Sequence, residues 1–276
     1  MTQYIGLLGY PLTHSISPAF QQAALDHVGT SARFETWPTP VEHLKEMVTR
    51  LRQEDCLGAG VTIPHKEVML TLVDEVDPLA KSIGAINTVV NRQGKLFGYN
   101  TDSAGFLRAL KERGGFDPKD KKVLLLGAGG AARAAAFTLG REQIQSLVVA
   151  NRSPERAIDM KQDLKNMDIH ITTSPMQPNP LHKHVQTANL IVNSTSVGMA
   201  GGDAEGQSPL DGHSILSSTF VFDMVYNPPQ TPLMYQASET NASVLGGLCM
   251  LIYQAAEQFP MWTGKQAPVD LMFNVG

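Results

Sequence analysis

Four polar stretches, "HSISP", "VTIPHK", "INT" and "GYNTD", hold the side chains best equipped for chemistry in this 276-residue chain. They offer hydroxyls on Ser15, Ser17 and Thr62, an amide on Asn87, an amine on Lys66 and a carboxylate on Asp102. Such a set suits a small polyhydroxylated acid. Hydride transfer to or from an alcohol carbon also needs a proton donor or acceptor at the carbinol oxygen, a task open to a lysine paired with an aspartate.

A second constellation follows in "LLGAGGAARA" and "VVANRSPERA". Gly127, Gly129 and Ala132 fit the dinucleotide fingerprint Gly-x-Gly-x-x-Gly/Ala between an apolar run and an alanine-rich helical pattern, the context that the fingerprint requires. Glycine lets the backbone approach a pyrophosphate, and the N–H groups at the helix start add donors and a favourable dipole. In this fold an acid about 20 residues further on bonds the ribose 2′-hydroxyl, whereas a nearby arginine accommodates a 2′-phosphate. Here the next strand ends in Asn151 and Arg152, followed by Ser153, with Arg156 one helical turn on. A carboxylate would repel that phosphate and two guanidinium groups can clamp it, so the expected cofactor is NADP(H).

Positioning these groups takes alternating strands and helices. "YIGLLG" reads as a strand, then a loop and a helix from Pro18 that Ser17 is placed to cap. Val41, Leu44, Met47, Val48 and Leu51 share a face of the next helix. "GAGVTI" is a strand leading to a short helix after Pro64, and "INTVVNRQGKLFGYN" reads as two strands joined across Gln93-Gly94. "SAGFLRALKERGG" is a helix closed by a glycine pair. A second series then starts at "KKVLLLG" and continues through buried strands at "SLVVA", "NLIVN" and "FVFDMV". The polar stretch "TTSPMQPNPLHKHVQ" reads as a surface loop, and "GGLCMLIYQAAEQF" as a helix returning to the first unit. The whole is the pattern of an α/β protein with largely parallel sheets in two domains, a ligand being expected in the cleft between them.

A net charge of −4 and a pI near 6.1 leave no excess positive charge to hold a polyanion, so nucleic acid is not an expected partner. Cys56 and Cys249 form no CxxC motif, which suits a reducing compartment and argues against a metal site or disulfide framework. The N-terminal stretch lacks a basic leader, and proline and histidine interrupt its apolar run; no signal peptide or membrane anchor is expected, and the cytoplasm is the expected location.

The ordered motifs "GYPLTHSISP", "GAGVTIPHK", "GAINTVVN", "GYNTD", "LLGAGGAARA", "NRSPERA", "VNSTSVGM", "FDMVYNPPQTPL" and "GGLCMLIYQAAEQFPMWTG" resemble, nearly end to end, those of the shikimate dehydrogenase family. The resemblance implies reversible, NADPH-dependent reduction of 3-dehydroshikimate to shikimate in aromatic amino-acid biosynthesis. It implies an N-terminal α/β substrate domain of residues 1–102 plus 246–276, with C-terminal helices returning to it, around a Rossmann-like NADP-binding domain of residues 103–245. By the same resemblance Lys66 and Asp102 are the catalytic pair, and Ser15 and Ser17 hold the substrate carboxylate. Thr62, Asn87, Asp102 and Gln254 bind ring hydroxyls, and Tyr226 faces the substrate. Gly127, Ala128, Gly129, Gly130 and Ala131 form the phosphate turn; Asn151, Arg152, Ser153 and Arg156 form the 2′-phosphate clamp; Met224 and Gly247 line the nicotinamide end. The implied partner is a small-molecule substrate, bound by a monomer or homodimer.

Plainer roles stand beside these. Ser17 and Asp102 suit helix N-caps, and Asn87 suits a backbone-satisfying role at a strand start. Lys66, Arg152 and Arg156 are of types usually solvated. His14 and His65 flank important residues, yet histidine more often packs or bonds locally. Leu248, Leu251, Ile252 and Ala255 read as core. The chain also departs from the family pattern: Gly60 stands where asparagine is usual, Gln21 and Gln22 replace a frequent His-Asn pair, and Cys249 replaces a glycine. Two other functions remain open. A quinate/shikimate dehydrogenase often prefers NAD, which the paired arginines disfavour, and by resemblance Ser17 and Thr88 suit a shikimate-selective pocket. A non-catalytic NADP-binding protein of the same fold would be marked by loss of Lys66 or Asp102.

Overall fold

A computed structural model describes residues 2–13 and 15–276. β1 (Gln3–Gly9) buries its last five residues in succession, as a strand covered on both faces requires. It is followed by α1 (Ser17–His27), β2 (Ala32–Pro38), α2 (Leu44–Leu51), β3 (Cys56–Val61), a 3-10 turn at Val68–Thr71, β4 (Glu75–Val76), α3 (Pro78–Ile83), β5 (Thr88–Arg92) and β6 (Lys95–Tyr99). α4 (Asp102–Arg108) continues into a π-turn at Ala109–Arg113. The strands form one sheet in the order β2-β1-β3-β5-β6-β4, with β5 antiparallel to both neighbours. Gln93 and Gly94 turn the β5–β6 hairpin with φ of 56° and 85°, the positive values a tight two-residue loop demands.

α2 buries Leu44, Val48 and Leu51 against this sheet with Met47 at the edge of the contact. Val41 departs from that face: it belongs to a preceding 3-10 turn, Val41–His43, whose tighter pitch leaves it exposed. Ser17 is not a cap. α1 begins at Ser17 itself, Ile16 occupies the N-cap without a side-chain bond, and Pro18 sets the first turn.

The second series runs β7 (Lys122–Leu126), α5 (Gly130–Arg141), β8 (Ser146–Asn151), α6 (Pro154–Asp163), β9 (His170–Pro175), α7 (Pro178–Val185), β10 (Leu190–Asn193), β11 (Phe220–Asp223), α8 (Pro232–Glu239) and β12 (Ser243–Gly246). All its strands are parallel, in the order β9-β8-β7-β10-β11-β12. This is the doubly wound Rossmann order, whose reversal point, where ligands bind at the carboxyl ends of strands, lies between β7 and β10. The "TTSPMQPNPLHKHVQ" stretch is not a loop, since it carries most of β9 and all of α7. Pro178 and Pro180 occupy the first turn, where N–H groups lack helical partners, and Leu181 and Val185, one turn apart, bury in the core.

α9 (Leu248–Thr263) returns to β5 of the first sheet, and α10 (Val269–Val275) packs against α1. Trp262 Nε1 donates to the Val89 carbonyl at 2.9 Å, and the Trp262 ring lies 6.3 Å from that of Phe34. The chain divides into two units, Met1–Gly105 with Leu251–Gly276, and Phe106–Met250. No helix among the described residues is long and apolar enough to cross a membrane.

Candidate active site

Lys66 lies on the turn after β3, where its carbonyl accepts from the Ile86 N–H at 2.7 Å and so anchors it beside Asn87. Its Nζ donates to Asp102 Oδ2 at 2.6 Å; the lysine side chain is 14% exposed and the aspartate 4%. That leaves donors of the ammonium for a ligand oxygen. Asp102 Oδ1 accepts from Asn87 Nδ2 at 2.9 Å. Asn87 is the centre of this network. Its Nδ2 also lies 2.9 Å from Thr101 Oγ1 and 3.1 Å from Gln254 Oε1, so its two protons are shared among three acceptors, while its Oδ1 accepts from the Thr101 N–H and the Thr88 hydroxyl, at 2.8 and 2.9 Å. The β3–α4 side of the sheet and helix α9 thus build one network around an ion pair. At the start of α4, Asn100 Oδ1 accepts the Ser103 N–H at 3.3 Å, so capping there does not depend on Asp102.

Ser15 and Ser17 form a second group, Ser15 Oγ accepting the Ser17 N–H at 3.4 Å with Ser17 buried. Thr62 is half-buried just beyond β3, its N–H donating to the Leu8 carbonyl at 2.8 Å. Among the described residues no hydrogen bond joins these three to the Lys66 network. His65 is fully buried with Nε2 2.6 Å from the Thr39 carbonyl, 26 positions away; His14 lies outside the described residues. The departures have structural partners. Gln21 Nε2 reaches the Ala255 carbonyl at 3.5 Å, and Gln22 bonds Asp26, Ala32 and Phe34, tying α1 to β2. Cys249 is half-buried in α9, and burial pushes its thiol up.

In the second unit the glycine turn closes β7. Gly127 has φ of +108°, and a Cβ there would meet Ser194 Oγ at 2.5 Å, so both conformation and space call for glycine. Gly129 is different: its φ of −93° suits any residue, and a Cβ would meet nothing within 4 Å. The open space lies before the N-terminus of α5, Gly129 being its N-cap and Gly130 its first residue, with Ala128 and Ala131 flanking. Packing does not require glycine there, and the open space would admit an approaching phosphate, so the residues fit a dinucleotide in this respect. Ala132 is fully buried, as close helix–strand packing needs.

Arg152 and Ser153, just after β8, and Arg156, in the first turn of α6, are exposed; β8 pairs directly with β7, and Asn151 Nδ2 donates to the Ser153 carbonyl at 2.9 Å. Met224 and Gly247 come together, since a Cβ on Gly247 would fall 2.0 Å from the Met224 carbonyl oxygen. Tyr226 follows, half-buried.

Sequence reading missed Asp223, which is fully buried and ends β11. Its carboxylate accepts from Asn193 Nδ2 at 2.9 Å, the Val225 N–H at 3.0 Å and the Thr231 hydroxyl at 2.6 Å, fixing the segment that carries Met224 and Tyr226. Burial holds its carboxyl above the usual range despite those donors. The available signal was a polar residue closing each of two apolar runs, "NLIVN" and "FVFD".

Fold and site define a two-unit α/β protein with a Rossmann-type sheet, carrying a lysine–aspartate pair on one unit and a dinucleotide turn on the other. The sequence pattern of the shikimate dehydrogenase substrate binding domain matches residues 7–89, that of shikimate/quinate 5-dehydrogenase residues 109–205, and that of the shikimate 5′-dehydrogenase C-terminal domain residues 247–272. The chain is 40% identical to the shikimate dehydrogenase (NADP(+)) of Methanopyrus kandleri over 98% of this chain and 93% of that one. The shikimate 5-dehydrogenase of Thermus thermophilus, solved with NADP(H) and shikimate, superposes with a TM-score of 0.86 at 36% identity, covering 99% of this chain and 98% of that one. The enzyme from Listeria monocytogenes, solved with shikimate and NAD, gives 0.88 at 31%, covering 99% and 96%. The chain belongs to the shikimate dehydrogenase family.

Proposed function

We propose that this protein catalyses the reversible, NADP-dependent reduction of 3-dehydroshikimate to shikimate in aromatic amino-acid biosynthesis, acting in the cytoplasm as a monomer or homodimer. The observation that carries the proposal is the mostly buried Lys66–Asp102 ion pair, braced by Asn87, in a chain of this family. Residues 1–102 plus 246–276, close to the unit Met1–Gly105 with Leu251–Gly276, are the substrate domain, and residues 103–245 are the NADP-binding domain, with Gly247 just beyond its end also serving the cofactor. The turn Gly127–Ala131 would hold the phosphates of NADP, Asn151, Arg152, Ser153 and Arg156 its 2′-phosphate, and Met224 and Gly247 its nicotinamide end; when bound it would supply or accept the hydride.

The chain's own groups do the rest. As negative charge grows on the substrate oxygen, the Lys66 ammonium donates a hydrogen bond to it and then the proton; in the reverse direction the amine takes the proton back. Asp102 aims the lysine, and Asn87 holds Asp102 through its second oxygen. Ser15 and Ser17 bind the substrate carboxylate, and Thr62, Asn87, Asp102 and Gln254 the ring hydroxyls, with Tyr226 facing the ring, so that one carbon is presented for reaction. Lys66→Ala tests this: kcat should fall roughly 10²- to 10⁴-fold with little change in the KM for shikimate. An unimpaired kcat would remove the lysine from the chemistry.

A further inference from the structure

Gln258 lies on α9 one turn beyond Gln254 and is 5% exposed. Its Nε2 donates to the Asn87 carbonyl at 3.1 Å and to Thr88 Oγ1 at 3.0 Å. A carboxamide nitrogen can only donate, so the Thr88 oxygen accepts there and its single proton is directed to Asn87 Oδ1, 2.9 Å away. The Thr101 N–H, a fixed donor, points at that same oxygen from 2.8 Å. Between them these groups hold the Asn87 carboxamide in one of its two flips, with its NH₂ toward Asp102 Oδ1; the other flip would set an oxygen against a carboxylate.

Gly60 lies against the Gln258 carboxamide. Gly60 on β3 faces Thr88 on β5 in register, so a side chain at 60 would lie beside the Thr88 hydroxyl. A Cβ at 60 would stand 3.7 and 3.8 Å from Oε1 and Nε2 of Gln258, and 3.4 Å from Leu7 Cδ1. The helix therefore delivers a carboxamide to the neighbourhood that a longer side chain at 60 would reach.

We infer that Gln258 is a positioning residue for the reaction: by setting the Thr88 hydroxyl it fixes the Asn87 amide that braces Asp102 against Lys66. This rests on the proposed role of Asn87 and Asp102 in the shikimate site. Gln258→Met keeps the volume and removes the donor. It should raise the KM for shikimate and lower kcat, together costing roughly tenfold or more in kcat/KM, while the KM for NADP⁺ stays unchanged, as a general loosening of the protein would not allow. G60N should crowd Gln258 and lose activity. The double variant G60N/Q258A moves the carboxamide from helix to strand and should recover to within about threefold of wild type, well above Q258A alone.

Wild-type kinetics in Q258M, or a double variant no better than Q258A, would overturn the inference. A wild-type protein that does not turn over shikimate would instead overturn the functional proposal. In that event NMR exchange of the Asn87 side-chain NH₂ reads the role of Gln258 directly. Slow exchange in the wild type and fast exchange in Q258M would support it, and slow exchange in both would refute it.

Discussion

A methyl group on Gly129 would touch nothing in the protein, whereas one on Gly247 would collide with the Met224 backbone. The two glycines therefore answer to different demands, and substitution separates them. Gly129→Ala should leave the unfolding temperature within about 1 °C of wild type while weakening NADP⁺ roughly tenfold or more, because only the phosphate needs that space. Gly247→Ala should lower thermal stability as well, by about 1–3 kcal/mol, since backbone must move; calorimetry with and without cofactor distinguishes the cases. Arg152 and Arg156 make a third test. Replacing both by alanine should weaken NADP(H) by about 10²- to 10⁴-fold and NAD(H) little, each lost charged hydrogen bond being worth roughly 1.5–3 kcal/mol. Equal weakening of the two cofactors by direct titration would contradict the clamp.

At the scale of elements, short-range signals were the legible ones. Gln93-Gly94 between two apolar runs announced its hairpin, and the glycine turn announced β7 and α5, because each rests on the local conformation of neighbouring residues. α7 was hidden by its prolines and polar surface, only Leu181 and Val185 betraying its buried face. The Asn87 network was hidden for another reason: its bonds to Gln254 and Gln258 span 167 and 170–171 positions, a juxtaposition that only the return of α9 creates. Gln254 was identified by resemblance alone, and Gln258 was not identified. A further tie joins α2 to the β4–β6 edge, where Arg52 bonds both Asp74 and the Gly94 carbonyl. The Arg52 side chain first, then the Leu96 N–H, holds the Asp74 carboxyl below its ordinary value of 3.8. Its stabilisation is thus fully present above the unfolded-state pKa and is lost as pH falls through the lower folded-state value. Asp74 is partly exposed, so the contribution is about 1 kcal/mol or less. Urea unfolding of wild type and Asp74→Asn should show a gap that is constant near neutrality and narrows below about pH 4. A pH-independent gap would contradict the pairing.

For the whole molecule, the chain passes between its two units within α4 and again within α9, the helices that carry Asp102 and Gln254. Composition and periodicity announced an α/β chain in two parts, and the Rossmann strand order then located the nucleotide turn at a sheet reversal. NADP⁺ at about a hundred times its Kd should add about 2.7 kcal/mol of stability by linkage, and NAD⁺ at the same concentration less. Equal shifts of the unfolding midpoint would count against NADP selectivity. The most direct test is kcat/KM of the wild-type protein for shikimate and for quinate, each with NADP⁺ and with NAD⁺, followed by the absorbance of the reduced nicotinamide. Shikimate with NADP⁺ should exceed every other combination by roughly tenfold or more. Quinate with NAD⁺ matching it, or silence with all four pairs, would contradict the proposed function.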